Sequence, residues 1–231
     1  MNKEEILKKL EELGKERTKE MYIKNGAKEP VYGVPVGHLK GIVEVTPKNQ
    51  NLANELFNSS IFEAMYLAGI LAEPLSMTKE NFEDWIEKAY APMLSDVSVA
   101  VTLAESPLAT EIADEWLKSD KIHYRTSAWA TYQWILKSVE DDKINKGKIE
   151  KLLDFAVENL YKEDEKVYGW ISDFIATVGT NYMPLHEEAK AAAEKIIEIG
   201  RPLKKRPTAS DKIKIDTLKN KLGMKKQIPR C

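Results

Sequence analysis

The sequence predicts an all-α protein made of consecutive helix pairs. Apolar residues recur at intervals of three and four along most of the 231-residue chain, which is the spacing of one face of an α-helix. Glycine, proline and other turn residues divide this pattern into about ten helices joined by short loops. Nothing in the chain resembles a succession of strands with alternating apolar and polar residues.

The individual helices follow from their apolar stripes and capping residues. Residues 1–20 are charged and amphipathic, and VYGVPVG at 31–37 is too short and too rich in Gly and Pro to be more than a connector. Thr78 is a candidate N-cap, and Ser106 followed by Pro107 predicts another helix start. The stripes are Phe82, Trp85, Ile86, Ala89 and Tyr90; Leu108, Ile112 and Trp116; Ile149, Leu152, Leu153, Ala156, Val157, Leu160 and Tyr161; and, after Pro184, Leu185, Ala189, Ala192, Ala193, Ile196 and Ile197.

From residue 78 onward the helices group into pairs of about 40 residues, over 78–118, 121–162 and 164–199. This is the length of HEAT and armadillo units, so we expect a HEAT-like solenoid of stacked antiparallel helix pairs. No repeated signature is visible, and a compact helical bundle is the alternative. Alternate helices of a solenoid share a layer, which would place IHYRTSAWATYQWIL (122–136) beside KVYGWISDFIATVG (166–179).

Charge is distributed unevenly along the chain. The net charge is −2, but residues 201–231 hold eleven Lys and Arg against two Asp, hence +9, which leaves −11 for the first 200 residues. A segregated basic segment is typical of polyanion binding through counterion release, and also of a solvated tail. The sequence therefore predicts a helical domain over 1–200 and a basic extension over 201–231, with Lys204, Lys205 and Arg206 as candidate phosphate contacts.

Several classes of function find no support in the sequence. It contains no phosphate-binding loop, nucleophile elbow or dinucleotide-binding motif, and its three histidines and single cysteine, Cys231, are too scattered to predict a metal site. No cofactor and no membrane partner are expected. No apolar run approaches the roughly 20 residues of a membrane span, and the N-terminus has no signal-peptide core. A single cysteine allows no internal disulfide, so we expect a cytoplasmic location. We also expect a monomer.

Four segments spread along the chain have characteristic sequences: MYIKNGAKEPVYGVPVGHLKGI (21–42), AMYLAGILAEP (64–74), DEWLKSDKIHYRTSAWATY (114–132) and SDFIATVG (172–179). They resemble bacterial proteins of the DNA alkylation repair family, the AlkC/AlkD-like group. The resemblance implies a HEAT-like fold that holds duplex DNA on a concave helical surface. Active members of this family are glycosylases that remove positively charged alkylated purines.

The resemblance also implies which residues form the site. Arg125 matches the arginine that active members place near the DNA backbone, and Trp170 matches more loosely a tryptophan beside the lesion. The family's catalytic aspartate is not found at its expected position, where this chain has Val101. Asp96 and Glu105 are the nearest acids, and Asp96 is the candidate catalytic residue. A carboxylate there would stabilise the positive charge that develops on the sugar, so enzymatic activity is left open.

The residues around Arg125 extend the candidate DNA-binding set. Trp134 lies off the apolar stripe and is a candidate groove aromatic, and Tyr124 is a candidate for stacking on sugar or base. Trp129 and Tyr132 lie on the stripe and are predicted core.

Two interpretations of Arg125 stay open. Its guanidinium suits bidentate contacts to a phosphate, and the alternative is a salt bridge to Asp120 or Glu115 near the helix start.

We therefore expect a DNA-binding protein that recognises damaged or distorted DNA, with removal of alkylated purines left open. The alternative is a non-catalytic HEAT-like scaffold for protein partners, which the acidic first 200 residues favour. A concave face lined with Lys and Arg would favour DNA, and an apolar or acidic face would favour a protein partner.

Overall fold

The computed structural model describes residues 1–198 and 208–226. These residues form thirteen α-helices with short 3₁₀ and π segments between them and no β-strand, which confirms the predicted all-α class. No helix of the described part is long and apolar enough to cross a membrane. The α-helices are α1 (Lys3–Leu13), α2 (Glu16–Lys24), α3 (Lys40–Val43), α4 (Gln50–Phe57), α5 (Phe62–Leu71), α6 (Lys79–Lys88), α7 (Ala100–Ala104), α8 (Ala109–Trp116), α9 (Ile122–Ser138), α10 (Lys146–Asn159), α11 (Glu165–Asn181), α12 (His186–Glu198) and α13 (Ala209–Leu218).

The chain divides into two compact units, of which the first is Met1–Lys118. Local sequence signals define its helices. Thr78 caps α6 through a capping box with Asn81, in which each side chain accepts the backbone N–H of the other residue, and the predicted N-cap is confirmed. α6 buries Trp85, whose ring stacks on Phe57 of α4 with the two centroids 4.3 Å apart.

One buried carboxylate holds the connector between α2 and α3. Glu63 of α5 is 2% exposed and accepts three consecutive backbone N–H groups, from Tyr32 at 3.0 Å, Gly33 at 2.6 Å and Val34 at 3.2 Å. Gly33 has a φ of +82°, and a Cβ there would collide with the backbone carbonyl of Lys15. VYGVPVG is thus a connector, as predicted, and its first glycine is required by the backbone.

After α6 the first unit continues with a π-helix, Met93–Val99, that runs directly into α7. Its close approach to α5 depends on Gly69, because a Cβ at that position would collide with the hydroxyl of Ser98. The Thr102 hydroxyl donates to the carbonyl of Gly69 at 3.2 Å. Buried hydroxyls therefore bind the two helices together at this crossing.

The start of α8 differs from its prediction. Ser106 is not the N-cap, because the helix begins at Ala109 after a turn that includes Pro107. The Ser106 hydroxyl accepts the backbone N–H of Leu108 at 3.1 Å, which closes this turn instead of capping the helix. The predicted stripe is nevertheless buried at Ile112 and Trp116.

The second unit begins at Ser119 and stacks its helices in two layers. α9, α11 and α13 pack side by side in one layer, and α10 and α12 pack together in the other. The ring of Trp129 on α9 lies 4.9 Å from that of Phe174 on α11, so the predicted placement of these two helices in one layer is confirmed. Helix pairs in alternating layers are the arrangement of HEAT-type repeats.

α13 packs against α11 at Gly179. A Cβ at Gly179 would lie 2.5 Å from Cδ1 of the buried Ile213, so the missing side chain leaves the space that the isoleucine fills. A capping box between Thr208 and Asp211 starts α13. The described part of the basic extension therefore contains a packed helix, and the domain boundary at residue 200 stays a prediction.

Candidate nucleic-acid interface

Arg125 lies in the first turn of α9, and its guanidinium is held by a carboxylate from a distant part of the chain. Its Nε donates to Oε2 of Glu163 at 3.1 Å, its Nη2 lies 3.1 Å from the same oxygen, and its Nη1 donates to the carbonyl of Ser119 at 2.6 Å. The two charged side chains are only 17% and 18% exposed. The salt bridge considered from sequence is thus present, but the partner is Glu163 instead of Asp120 or Glu115. A phosphate would have to share the guanidinium with it.

Three aromatic residues of α9 are buried. Trp129 and Tyr132 are 1% and 0% exposed, which confirms their predicted core position. Tyr124 is buried at the start of the helix, with its ring edge-on to that of His123 at 5.0 Å and the ammonium of Lys121 5.2 Å from its centre. Its predicted stacking on a sugar or base stays a prediction.

Trp134 and Trp170 are both half-buried. The ammonium of Lys137, one turn further along α9, lies 5.1 Å from the centre of the Trp134 ring. The side-chain amide of Gln133 donates to the backbone carbonyl of Trp170 at 3.2 Å and so joins α9 to α11. The two tryptophans retain exposed surface on neighbouring helices, and their contact with DNA stays a prediction.

A polar groove of about 230 Å³ lies between α9, α11 and α13. Its walls are lysine, aspartate and threonine side chains together with apolar surface from Ala176 and Ile215. The charged residues of its lining are Lys137, Asp173, Lys212, Asp216 and Lys226. The groove therefore brings residues of all three helices to one place.

Lys137 is a partly buried cation of this groove. Its ammonium lies over the Trp134 ring, and among the described residues no carboxylate lies within ion-pair distance of it. Lys212, by contrast, is paired with Asp173. Burial and the nearby charge of Lys226 lower the pKa of Lys137 to about 8, Asp173 opposes the shift, and Lys212 adds to it.

The chain after α13 returns to the ends of α9 and α11. The ammonium of Lys225 donates to the carbonyls of Leu136 and Asn181, both at 2.9 Å, and pairs with Asp141 at 2.6 Å. These carbonyls belong to the C-terminal turns of two helices, where a cation is favoured. Lys225 is thus used by the fold, whereas Lys226 lines the groove.

Asp96 lies inside the first unit. It is 2% exposed, in the π-helix, and accepts a hydrogen bond from the hydroxyl of Ser95 at 2.7 Å. Its catalytic role stays a prediction, but a sugar could reach this carboxylate only after local opening of the core. Glu105, the other acid considered from sequence, is half-buried at the end of α7.

The three basic residues proposed in the tail, Lys204, Lys205 and Arg206, lie outside the described residues. Within 1–198 and 208–226, no group of three His, Cys, Asp or Glu side chains is arranged to hold a metal ion.

Neither Lys137 nor Lys212 is among the candidate site residues that the sequence predicts. A usable signal existed for Lys137, because it follows Trp134 by three residues and therefore lies on the same side of α9 as that half-buried aromatic. No local signal identifies Lys212, which reaches the groove through the packing of α13 on α11.

We expect Arg125→Ala to lower the free energy of unfolding by about 1–3 kcal/mol, because it leaves the partly buried Glu163 without its partner. A double-mutant cycle with Glu163→Gln should give a coupling energy of similar size in urea denaturation. The control is Lys190→Ala, which removes an exposed pair with Glu187 and should cost less than about 0.5 kcal/mol. Unchanged stability together with a reduced salt dependence of DNA binding would contradict the structural role.

Comparison with known proteins gives a consistent family. A family model described as DNA alkylation repair enzyme matches residues 6–191. The uncharacterized protein Lin0241 of Listeria innocua is 27% identical over 187 residues, which cover 78% of this chain and 80% of that protein. Lmo0209 of Listeria monocytogenes, also uncharacterized, is 26% identical over 171 residues and 72% of each chain.

A solved structure resembles the chain over its whole length, with a TM-score of 0.93, 38% sequence identity and 100% coverage of both chains. That protein is described as one of a new family of proteins related to the HEAT-like repeat DNA glycosylases with affinity for branched DNA structures. The alternating helix layers of the second unit agree with such a repeat. The fold is therefore HEAT-like, and the chain belongs to the DNA alkylation repair enzyme family.

Proposed function

We propose that the protein binds branched or otherwise distorted DNA and does not excise alkylated bases. The observation that carries this proposal is the full-length likeness, at 38% identity, to a protein whose family has affinity for branched DNA structures. A junction offers several backbones at close range, so a surface that contacts phosphates without reading bases can prefer it to a linear duplex.

The distribution of charge supports DNA as the partner. The first unit carries 13 Lys and Arg against 20 Asp and Glu, a net charge of −7, whereas the chain from Ser119 onward carries 22 against 17, a net charge of +5. Cationic surface supplies most of the sequence-independent affinity for DNA. The acidic first 200 residues favour a protein scaffold, and most of that acidic excess lies in the first unit. Residues 119–200 carry 11 Lys and Arg against 15 Asp and Glu, so the positive charge after Ser119 comes from residues 201–231. We propose that the second unit is the part that binds DNA.

The position of Asp96 argues against excision. An accessible carboxylate beside the sugar accelerates cleavage of a glycosidic bond, because positive charge develops there. Asp96 is buried and hydrogen-bonded to Ser95 within the first unit, which suits a structural role. A protein can lose the catalytic carboxylate and keep the surface that binds phosphates, because the two depend on different residues.

A binding titration and a base-release assay on the same protein test the proposal. We expect the Kd for a four-way junction to be at least tenfold lower than for a linear duplex of the same sequences, and to rise steeply with salt. Release of 7-methylguanine and 3-methyladenine from alkylated duplex should stay at the level of the protein-free control.

The Asp96→Asn variant tests whether any base release depends on this carboxylate. Base release that this substitution abolishes would identify an enzyme and contradict the proposal. Equal affinity for junction and duplex would remove the preference for branched DNA. If the chain neither binds nor releases, the protein-scaffold alternative becomes the better hypothesis.

A further inference from the structure

We propose that the groove between α9, α11 and α13 binds a phosphate group of the DNA backbone, with Lys137, Lys212 and Lys226 as its cationic contacts. The inference rests on the proposed DNA binding and adds to it a site and a ligand chemistry. The groove has a volume of about 230 Å³, and a water molecule takes about 30 Å³, so a phosphate group fits together with a few waters.

The charges of the groove leave a place for an anion. Three lysines face two aspartates, Asp173 and Asp216, so the ionisable lining has one net positive charge. Lys212 is already paired with Asp173, whereas Lys137 has no carboxylate of the described residues within ion-pair distance. A buried charge is normally paired, because removing it from water is costly. The Lys137 ammonium donates a long hydrogen bond to Oε1 of Gln133 at 3.5 Å and lies over the Trp134 ring, and both of these partners are neutral. An anion from outside the chain would supply the opposite charge.

The C-terminal segment is anchored so that Lys226 stays at the groove. Its backbone N–H donates to the carbonyl of Lys137 at 2.7 Å. Two residues earlier, the carbonyl of Met224 accepts the side-chain amide of Asn181 at 2.9 Å, and Lys225 binds the helix ends. The third cation therefore comes from a fixed part of the basic extension, and the site is complete only when this segment is in place.

Occupation by an anion has a defined proton linkage. The other charged groups that face Lys137 are Lys226 from the C-terminal segment, Lys212 and Asp216 from α13, and Asp173 from α11. Below pH 8 the ammonium of Lys137 is charged in the folded protein; above it the amine is neutral there but still protonated in the unfolded chain, so folding stability rises from pH 8 towards the ordinary value of 10.5.

Anion binding favours the protonated form of Lys137 in the folded protein. A bound phosphate favours the protonated amine, so it raises the pKa of Lys137, and binding takes up a proton when the pH is above 8. The affinity for the anion should therefore fall as the pH rises through 8, well below the range in which ordinary lysines lose their charge.

The test compares Lys137→Gln with Lys151→Gln in the full-length chain. Lys151 is exposed on α10, in the other layer of the same unit, so both variants lose one positive charge from that unit. Binding of a four-way junction is measured at several salt concentrations at pH 7, and again between pH 7 and pH 9. We expect Lys137→Gln to weaken binding about five- to tenfold, to reduce the log–log salt slope by about 0.9, and to abolish the loss of affinity between pH 7 and 9. Lys151→Gln should stay within about twofold of the unsubstituted protein and keep its pH dependence.

A second measurement uses the unsubstituted protein, and its arm with inorganic phosphate gives a result even if the protein does not bind DNA. The pKa of Lys137 is followed by NMR of labelled lysine side chains in the unsubstituted protein, alone, with inorganic phosphate and with junction DNA. Lys137 should titrate near pH 8 in the free protein and at a higher pH with either ligand.

The outcomes separate the site from the function. Junction binding that Lys137→Gln and Lys151→Gln weaken equally, with no movement of the Lys137 titration, would overturn the phosphate site and leave DNA binding standing. A shift with inorganic phosphate but no junction binding would support an anion site and contradict the proposed function. No shift and no binding would reject both.

Discussion

Replacing Glu63 with alanine is expected to lower the free energy of unfolding by about 3–5 kcal/mol. The substitution removes the acceptor of three backbone N–H groups, those of Tyr32, Gly33 and Val34. Each buried donor left without a partner costs about 1–3 kcal/mol. The loss should be among the largest for a single polar residue of this chain, because one side chain holds a whole connector against α5.

Two other substitutions make the measurement specific. Glu55→Ala removes an exposed carboxylate from the neighbouring helix α4 and should change the free energy of unfolding by less than about 0.5 kcal/mol. Glu63→Gln keeps one acceptor oxygen but turns an N–H₂ group towards a backbone N–H, so its effect should be intermediate. A loss for Glu63→Ala no larger than that for Glu55→Ala in urea denaturation would show that the connector does not depend on this carboxylate.

Trp129→Ala is expected to cost about 3–5 kcal/mol of stability. The indole is 1% exposed and packs against Phe174 at 4.9 Å and Phe155 at 6.2 Å between ring centres. Truncation leaves a cavity between α9 and its neighbours that the surrounding side chains can fill only partly.

Trp134→Ala on the same helix is the matched comparison. Its ring is half-buried and lies under the ammonium of Lys137, so its removal should cost less than about 2 kcal/mol. It should instead weaken junction binding several-fold, because the exposed part of an aromatic ring beside a cation is a platform for a base or sugar. If both variants lost the same stability and bound the junction equally, the division of these tryptophans into core and interface would be wrong.

The periodic part of the fold could be predicted from the sequence. The Thr78 cap and the Trp129–Tyr132 stripe follow from capping and spacing, because these signals act within a few residues of chain. The shared layer of α9 and α11 follows from the solenoid interpretation, in which alternate helices share a layer. Ser106 shows where such signals fail. Its hydroxyl has two local uses, a helix cap and a turn, and sequence does not decide between them.

The electrostatic part of the candidate site could be predicted less well. Proximity in sequence points to Asp120 or Glu115 as the partner of Arg125. The partner is Glu163, 38 residues further on, and only the packing of helices brings the two together. The burial of Asp96 depends in the same way on how closely α5 approaches the π-helix at Gly69. The charge state of Lys137 depends on side chains from three separate segments, and no spacing rule encodes it.

The contact between Gly179 and Ile213 has a consequence for how sequences of this family can diverge. The isoleucine occupies the volume that a side chain at position 179 would need, so neither residue can change freely while the other is kept. Descendants that acquire alanine at position 179 should carry a smaller residue at position 213, and those that keep isoleucine should keep glycine. The two positions should therefore co-vary, although 33 residues of chain separate them. The placement of α13, the helix that carries Lys212 to the groove, depends on the same pair.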